Sequence, residues 1–342
     1  MKTEDFASKW AVVITVSEPS ELVLANVAHH LTHGASEIFV YLDTPDAELE
    51  AVLAAHPACH VALCDAAYWQ VQHGMKKPPA RHTRRQTLNA DLAAKTTRAA
   101  WLLNIDADEF LWCEGRFADI LTTVPESAGW IKLRPWERRR FAGRAEGLFD
   151  GRFLGLHVLP SERPLTEGGF TGHLVGKACV RTGRGYALTL HNPRIGPVKE
   201  RSIPKSFEDD NAYLLHFDGL TPLHWASKLL RRAEKGPEYV RNNYRGKRLR
   251  QIYLAAQTCG DPANLAKLQN EVTYISPERA EVLTGEGMLR MLDLQIPQAL
   301  NTQFSNEVVD LTTQHFDKKI APLLDQLRAR VAARGDVWGV RK

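Results

Sequence analysis

The chain predicts an α/β fold: a mixed, mostly parallel sheet flanked by helices, doubly wound at its start and followed by a helical C-terminal extension. Two observations carry this expectation. Short apolar runs alternate with helical stretches at close spacing from Ala11 to Cys64, the pattern of parallel strands joined by crossover helices. A later apolar run, Trp101-Leu-Leu-Asn-Ile-Asp-Ala-Asp-Glu-Phe110, ends in three carboxylates within four residues. Open α/β sheets place their ligands at the carboxyl ends of strands, where these acids would fall.

Taken in order, Ala11 to Val16 reads as a buried first strand closed by Ser17-Glu18-Pro19, and a helix runs from Ser20 to about His33, stopped by Gly34. Ser36 to Asp43 is a second strand, Ala47 to Ala55 a helix, and Cys59 to Cys64 a third strand. The passage after Asp65, polar and ending in Lys76-Lys77-Pro78-Pro79, reads as a loop. Arg81 to Ala100 is helical, with Leu88, Leu92 and Ala99 on one side and Arg85, Gln86 and Asn89 on another. It leads into the Trp101 strand, followed by a helix from Phe117 to Thr123 and a strand from Gly129 to Trp136. Short strands at Ala178 to Arg181 and Ala187 to Leu190 are expected to extend the sheet, and Tyr213 to Asp218 is its last strand. Helices follow at Trp225 to Lys235, Leu249 to Ala256, Ala263 to Glu271 and Ile320 to Ala333, with a domain boundary placed near residue 236: a catalytic domain of residues 1–235 and an extension of residues 236–342.

Composition excludes several classes. Hydrophobic content of 44% with 25% charged residues is that of a water-soluble globular chain, and no apolar run approaches a membrane span. A formal charge of +4 permits an anionic substrate or a membrane surface and does not call for nucleic acid. Five cysteines without a C-x-x-C pair indicate neither a disulfide framework nor a zinc knuckle, and fit reduced core thiols. The acidic start, Met1-Lys-Thr-Glu-Asp-Phe6, does not read as a signal peptide. A cytoplasmic protein, with any membrane contact peripheral to the inner face, is the expectation.

Asp106, Asp108 and Glu109 would repel one another unless a cation or an array of donors compensated. In an extended segment Asp106 and Asp108 point the same way past Ala107, a hook for a hard divalent cation carrying phosphate oxygens. Arg85 and Lys177 are candidates for a diphosphate, the first by bidentate geometry and the second as a point charge; a solvated helix face accounts for Arg85 equally well. Gln86 and Asn89, uncharged amides beside an apolar stripe, need partners. Asp43 and Glu18 at strand ends read either as ligand contacts or as turn residues. His216, in an apolar strand, reads as a hydrogen-bonded core residue or as a further metal ligand, with Asp218 close by. Trp69, Trp136 and Trp225 read as packing residues or as sugar-stacking surfaces.

With these elements in place the chain resembles the family-2-like glycosyltransferases of the GT-A fold. The resemblance rests on Val12 to Val16, Glu18, Ala25 to His33, Gly34, Ile38 to Asp43, Arg85-Gln86 with Asn89, Leu103 to Phe110, Gly176-Lys177, His191-Asn192-Pro193 and His216-Phe217. It covers roughly the first 235 residues. What it implies is a nucleoside diphosphate sugar donor, UDP-linked, with Asp43 accepting the uracil imide proton, and Mn²⁺ or Mg²⁺ bonded by Asp108 and approached by Asp106, which also reaches the ribose. It further implies transfer of a sugar with inversion; the sequence does not name the acceptor, for which a glycan or a lipid-linked molecule is open. The second acidic pair that supplies the base in many such enzymes has no clear counterpart; Glu137, Glu146, Asp150 and Glu167 fall in the right interval and none is favoured by spacing.

Two other functions fit part of the pattern: a nucleotide- or carbohydrate-binding scaffold without turnover, and a phosphohydrolase using Asp106 as nucleophile. Against the second, Glu109 stands where a Thr or Val commonly follows the second Asp. The last helix carries Leu323, Leu324, Leu327 and Val331 on one face, which is expected to pack on the protein or on a second subunit, with Arg328, Arg330 and Arg334 leaving a membrane-surface role open.

Overall fold

The computed structural model describes residues 6–140, 147–155, 170–172, 174–258, 262–335 and 338. They form two compact units, each assembled from separate stretches of chain: residues 1–135, 175–215 and 295–309 in the first, and 136–174, 216–294 and 310–342 in the second.

The first unit opens with β1 (Trp10–Val16), α1 (Ser20–Thr32), β2 (Glu37–Leu42), α2 (Ala47–Ala54) and β3 (Cys59–Leu63). The expected loop after Asp65 is instead a helix, α3 (Ala66–His73). Asp65 caps it by accepting from the Tyr68 amide at 2.8 Å, and Trp69 anchors it, fully buried, with its indole donating to the Cys64 carbonyl at 3.0 Å. A cap and one large apolar anchor suffice where periodicity over so short a stretch says little. Next come α4 (His82–Thr96), β4 (Trp101–Asn104), β5 (Glu109–Cys113), α5 (Phe117–Thr123) and β6 (Trp130–Arg139), whose last residues enter the second unit. Helix α4 turns inward not an aliphatic stripe but Gln86, Asn89, Ala90 and Ala93; Leu88 and Leu92 are only partly buried.

In the second unit, β6 pairs antiparallel with β7 (Arg152–Leu154). The chain then returns to the first unit with β8 (Lys177–Arg181), β9 (Ala187–Leu188), β10 (Pro193–Arg194), β11 (Ser206–Phe207) and β12 (Ala212–His216), whose last residue belongs to the second unit. The first unit's sheet runs β3-β2-β1-β4-β8-β6. Strands β3, β2, β1 and β4 are mutually parallel, and β8 lies antiparallel between β4 and β6. The β9 segment does not extend this sheet as expected but pairs with β10 in a separate two-stranded ribbon.

The second unit continues with α6 (Pro222–Ala233), α7 (Pro237–Asn243), α8 (Gly246–Gln257), α9 (Pro262–Thr273), α10 (Pro277–Gly285) and β13 (Leu289–Met291), which pairs with β7. Helix α11 (Ile296–Gln303) returns to the first unit and packs on α1. The last helix, α12 (Thr313–Ala333), starts earlier than its apolar stripe suggests, because Thr312 caps it on the His315 amide. It packs on α6 of its own unit through Phe316, Ile320, Leu324, Leu327 and Val331, spaced three and four residues apart on one face; Leu323 is only half-buried. Among the described residues no helix is long and apolar enough to cross a membrane.

The whole is the mixed, mostly parallel α/β sheet with helical flanks and helical C-terminal extension of the GT-A type. No disulfide links the described cysteines, and burial pushes the Cys59 and Cys64 thiols up to about 12, which removes both as thiolate nucleophiles near neutral pH.

Candidate functional site

The carboxyl ends of the parallel strands β2, β1 and β4 deliver Asp43, Glu18 and the Asp106–Glu109 segment to one end of the sheet. That segment is not extended as expected. Strand β4 stops at Asn104, and residues 105–108 turn before β5 begins, so strand alternation does not decide where Asp106 and Asp108 point. The Glu109 amide donates to the Asp106 carbonyl at 3.1 Å, and Glu109 Oε2 accepts from the Asp106 amide at 2.8 Å. Across the sheet-helix boundary, fully buried Asn26 on α1 donates to the carbonyls of Ala107 at 3.0 Å and Glu109 at 2.8 Å. His29 Nε2 meets the Leu111 carbonyl at 2.7 Å. His30 Nδ1 donates to the Asn26 carbonyl, and its Nε2 accepts from the Leu111 amide. Burial presses the His30 pKa down to about 3, so the ring is neutral and serves as fixed scaffolding.

Asp106 is 40% exposed and anchored from below. Lys177, whose side chain is 2% exposed, donates to Asp106 Oδ2 at 2.7 Å and lies 3.2 Å from Glu109 Oε2; Gln86 donates to Asp106 Oδ1. Burial would raise the Asp106 pKa, but the ammonium more than offsets it and holds the carboxyl far below the usual range. The same pair raises Lys177 despite its burial. Lys177 enters from Gly176, whose φ of +76° is left-handed and where a Cβ would stand 2.1 Å from the Leu133 carbonyl oxygen. His191 Nδ1 meets the Gly176 carbonyl at 2.9 Å; burial, reinforced by Lys177, lowers its pKa.

Asp43 and Arg85 find each other. The Arg85 guanidinium donates through Nε to Asp43 Oδ2 at 2.9 Å and through Nη1 to the Pro79 carbonyl at 2.7 Å. His82 Nδ1 lies 2.8 Å from Asp43 Oδ2. Asp43 is only 5% exposed; burial raises its pKa, and His82 and Arg85 together more than reverse that. The Asp43 carboxylate and the Arg85 guanidinium are thus paired with each other within the protein. Asn89 is fully buried, donating to Thr15 Oγ1 at 3.0 Å and accepting from the Tyr68 hydroxyl at 2.7 Å, so it pins α4 to β1 and α3. Glu18 is half-buried in the bend after β1.

The base candidates fare differently. Glu137, in the second unit, is 1% exposed and accepts from the Thr171 amide at 2.6 Å, the Thr171 hydroxyl at 2.7 Å, the Gly172 amide at 2.7 Å and Arg139 at 3.1 Å. Burial raises its pKa, but Arg139, first among the opposing groups, holds the carboxylate ionised below the usual range, so it is a structural anion and a poor proton acceptor. Asp150 closes a turn by accepting from the Gly147 amide at 2.9 Å. Glu146 and Glu167 lie outside the described residues. His216 belongs to the second unit, with Nδ1 3.5 Å from Glu137 Oε2, and Asp218 accepts from Arg248 at 3.1 Å and the Trp225 indole at 3.3 Å. Trp69 and Trp225 are fully buried packing residues, and Trp136 lies under the Arg290 guanidinium.

The donor set does not fit the expected Mn²⁺ or Mg²⁺ cage of Asp106, Asp108 and His216. Both oxygens of Asp106 already have protein donors, one of them a cation, and His216 faces Glu137. Among the described residues no group of three or more His, Cys, Asp or Glu side chains stands ready to hold a metal ion.

No protein-family model and no curated protein matches the chain. Solved structures similar to it include HddC from Yersinia pseudotuberculosis, at 10% identity and a TM-score of 0.31 over 61% of this chain and 93% of that one. Another is S. aureus TarS 1-349, at 12% identity and a TM-score of 0.30 over 94% of this chain and 88% of that one. The same protein in complex with UDP is 13% identical, with a TM-score of 0.33 over the same shares of the two chains.

Proposed function

We propose that the chain is a glycosyltransferase that takes a nucleoside diphosphate sugar, UDP-linked donors being the first of the class to test, and passes the sugar with inversion to a hydroxyl of a glycan or lipid-linked acceptor. The observation that carries this reading is a half-exposed, ion-paired carboxylate, Asp106, held by Lys177 and Gln86 at the carboxyl end of a parallel strand. The resemblance of the Leu103 to Phe110 block to family-2-like glycosyltransferases supports it. In the reaction, the acceptor oxygen bonds to the anomeric carbon as the bond from that carbon to the diphosphate oxygen breaks. The nucleoside diphosphate leaves with the electron pair, and the acceptor's proton passes to a base.

Asp106 suits a binding role in this scheme. A carboxylate accepting from a ribose or sugar hydroxyl contributes about 1.5 to 3 kcal/mol, and here its orientation is fixed before the donor arrives. Asn26, His29 and His30 keep the turn that carries it rigid. The test is isothermal titration of a panel of UDP- and other nucleoside diphosphate sugars, with release of the nucleoside diphosphate followed in parallel. Asp106→Asn is expected to weaken donor binding by about 1.5 to 3 kcal/mol, measured on variant protein whose fold is confirmed by circular dichroism, since the substitution also removes a partner of buried Lys177. Binding without any release of nucleoside diphosphate, even with acceptor extracts present, would support a nucleotide-binding scaffold instead. No binding of any donor would end the proposal.

A further inference from the structure

We infer that Lys177 is the resident counter-cation of the acidic turn and stands in for a divalent metal there, so that donor binding at this site is metal-independent. The observations are geometric. Three carboxylates fall within four residues, which would ordinarily call for a cation. The chain supplies one of its own: the Lys177 ammonium, 2% exposed, reaches Asp106 Oδ2 at 2.7 Å and Glu109 Oε2 at 3.2 Å.

Its placement is built in rather than incidental. Lys177 begins β8, which is held antiparallel between β4 and β6, and the residue before it must be glycine, because its φ of +76° is left-handed and a Cβ would strike the Leu133 carbonyl. Gln86 occupies the other oxygen of Asp106, and the Asp106 amide takes up Glu109 Oε2. A divalent ion entering this cradle would have to displace the ammonium or sit against it, and a lysine buried among acids has nowhere better to put its charge. Removing the lysine charge should let the Asp106 and Glu109 oxygens that it bridges take up a cation instead.

The donor half of this inference rests on the proposed function; the cation half does not, and the experiment separates them. MnCl2 alone is titrated into the full-length protein and into Lys177→Met and Lys177→Arg, with bound Mn²⁺ read by electron paramagnetic resonance and folding checked by circular dichroism. The wild type and Lys177→Arg are expected to bind Mn²⁺ at least tenfold more weakly than Lys177→Met, and adding Asp106→Asn to Lys177→Met should remove the gained site. A wild type that binds one Mn²⁺ as tightly as Lys177→Met overturns the inference, as does a folded Lys177→Met that gains no Mn²⁺. If Lys177→Met fails to fold, the wild type decides: micromolar binding of one Mn²⁺ that Asp108→Asn removes overturns the inference, and its absence supports it. In the second arm, UDP-sugar affinity is measured in EDTA and in MnCl2. Equal affinity is expected, and a tenfold gain with Mn²⁺ overturns the metal independence. Donor failing to bind in both media strikes the functional reading, while the role of the lysine is still decided by the Mn²⁺ titrations.

Discussion

Replacing Glu137 by glutamine separates a structural anion from a catalytic base. In the second unit the carboxylate accepts from two backbone amides, a hydroxyl and a guanidinium, at 2.6 to 3.1 Å. Glutamine keeps the shape but turns one oxygen into a donor, which must then face either the Thr171 amide or the Gly172 amide. Arg139, 2% exposed, loses the charge of Glu137 beside it. Breaking a buried ion pair by removing one partner costs about 3 to 5 kcal/mol, and the donor-donor clash falls within the same range because these bonds act as one unit. That is about a fifth or more of the stability of a typical domain. In urea unfolding followed by tryptophan fluorescence, with a slope of about 3 kcal/mol/M, the midpoint should fall by about 1 to 2 M. The pH dependence carries a second check. Because the folded pKa lies below the ordinary 4.5, the carboxylate's contribution is fully present above that value and lost as pH falls through the lower folded one. The stability gap between wild type and Glu137→Gln should therefore close below pH 4.5 and stay constant above it. A midpoint shift under about 0.3 M, with catalytic turnover abolished, would refute the structural assignment and restore Glu137 as the base.

Two further substitutions probe the frame of the site and the C-terminal extension. Gly176→Ala puts a Cβ against the Leu133 carbonyl at a left-handed residue, so β8 must move off β6; a loss of roughly 3 kcal/mol or more is expected, and a melting temperature within about 2 °C of wild type would show that the turn relaxes freely. Leu327→Ala empties a fully buried position in the face that α12 packs on α6, and should cost about 2 to 5 kcal/mol in thermal unfolding without altering sedimentation with anionic liposomes; a normal melting curve with lost liposome binding would mean that this face serves a membrane.

The strand-helix alternation of the first unit is legible in the sequence because hydrophobic period is a local property: β1, α1, β2, α2 and β3 fall within a residue or two of where the apolar runs place them. Pairing at a distance is not legible in this way. The acids of the turn, Gln86 and Lys177 are all visible as residue types in need of partners, yet Lys177 stands 71 residues from Asp106, and nothing local says that this lysine meets those acids. Glu137 looks like a candidate base for the same reason, since the Thr171 and Gly172 donors that consume it lie 34 and 35 residues further along. The turn itself reads as extended because its cause is Asn26, more than eighty residues upstream. One signal is available. Helix α1 carries Asn26, His29 and His30 on positions that its apolar neighbours mark as inward, and a buried polar side chain requires a partner. Polar residues on the inner side of a helix that follows the first strand thus point to irregular backbone nearby, here the interrupted β4–β5 junction that holds Asp106 and Asp108.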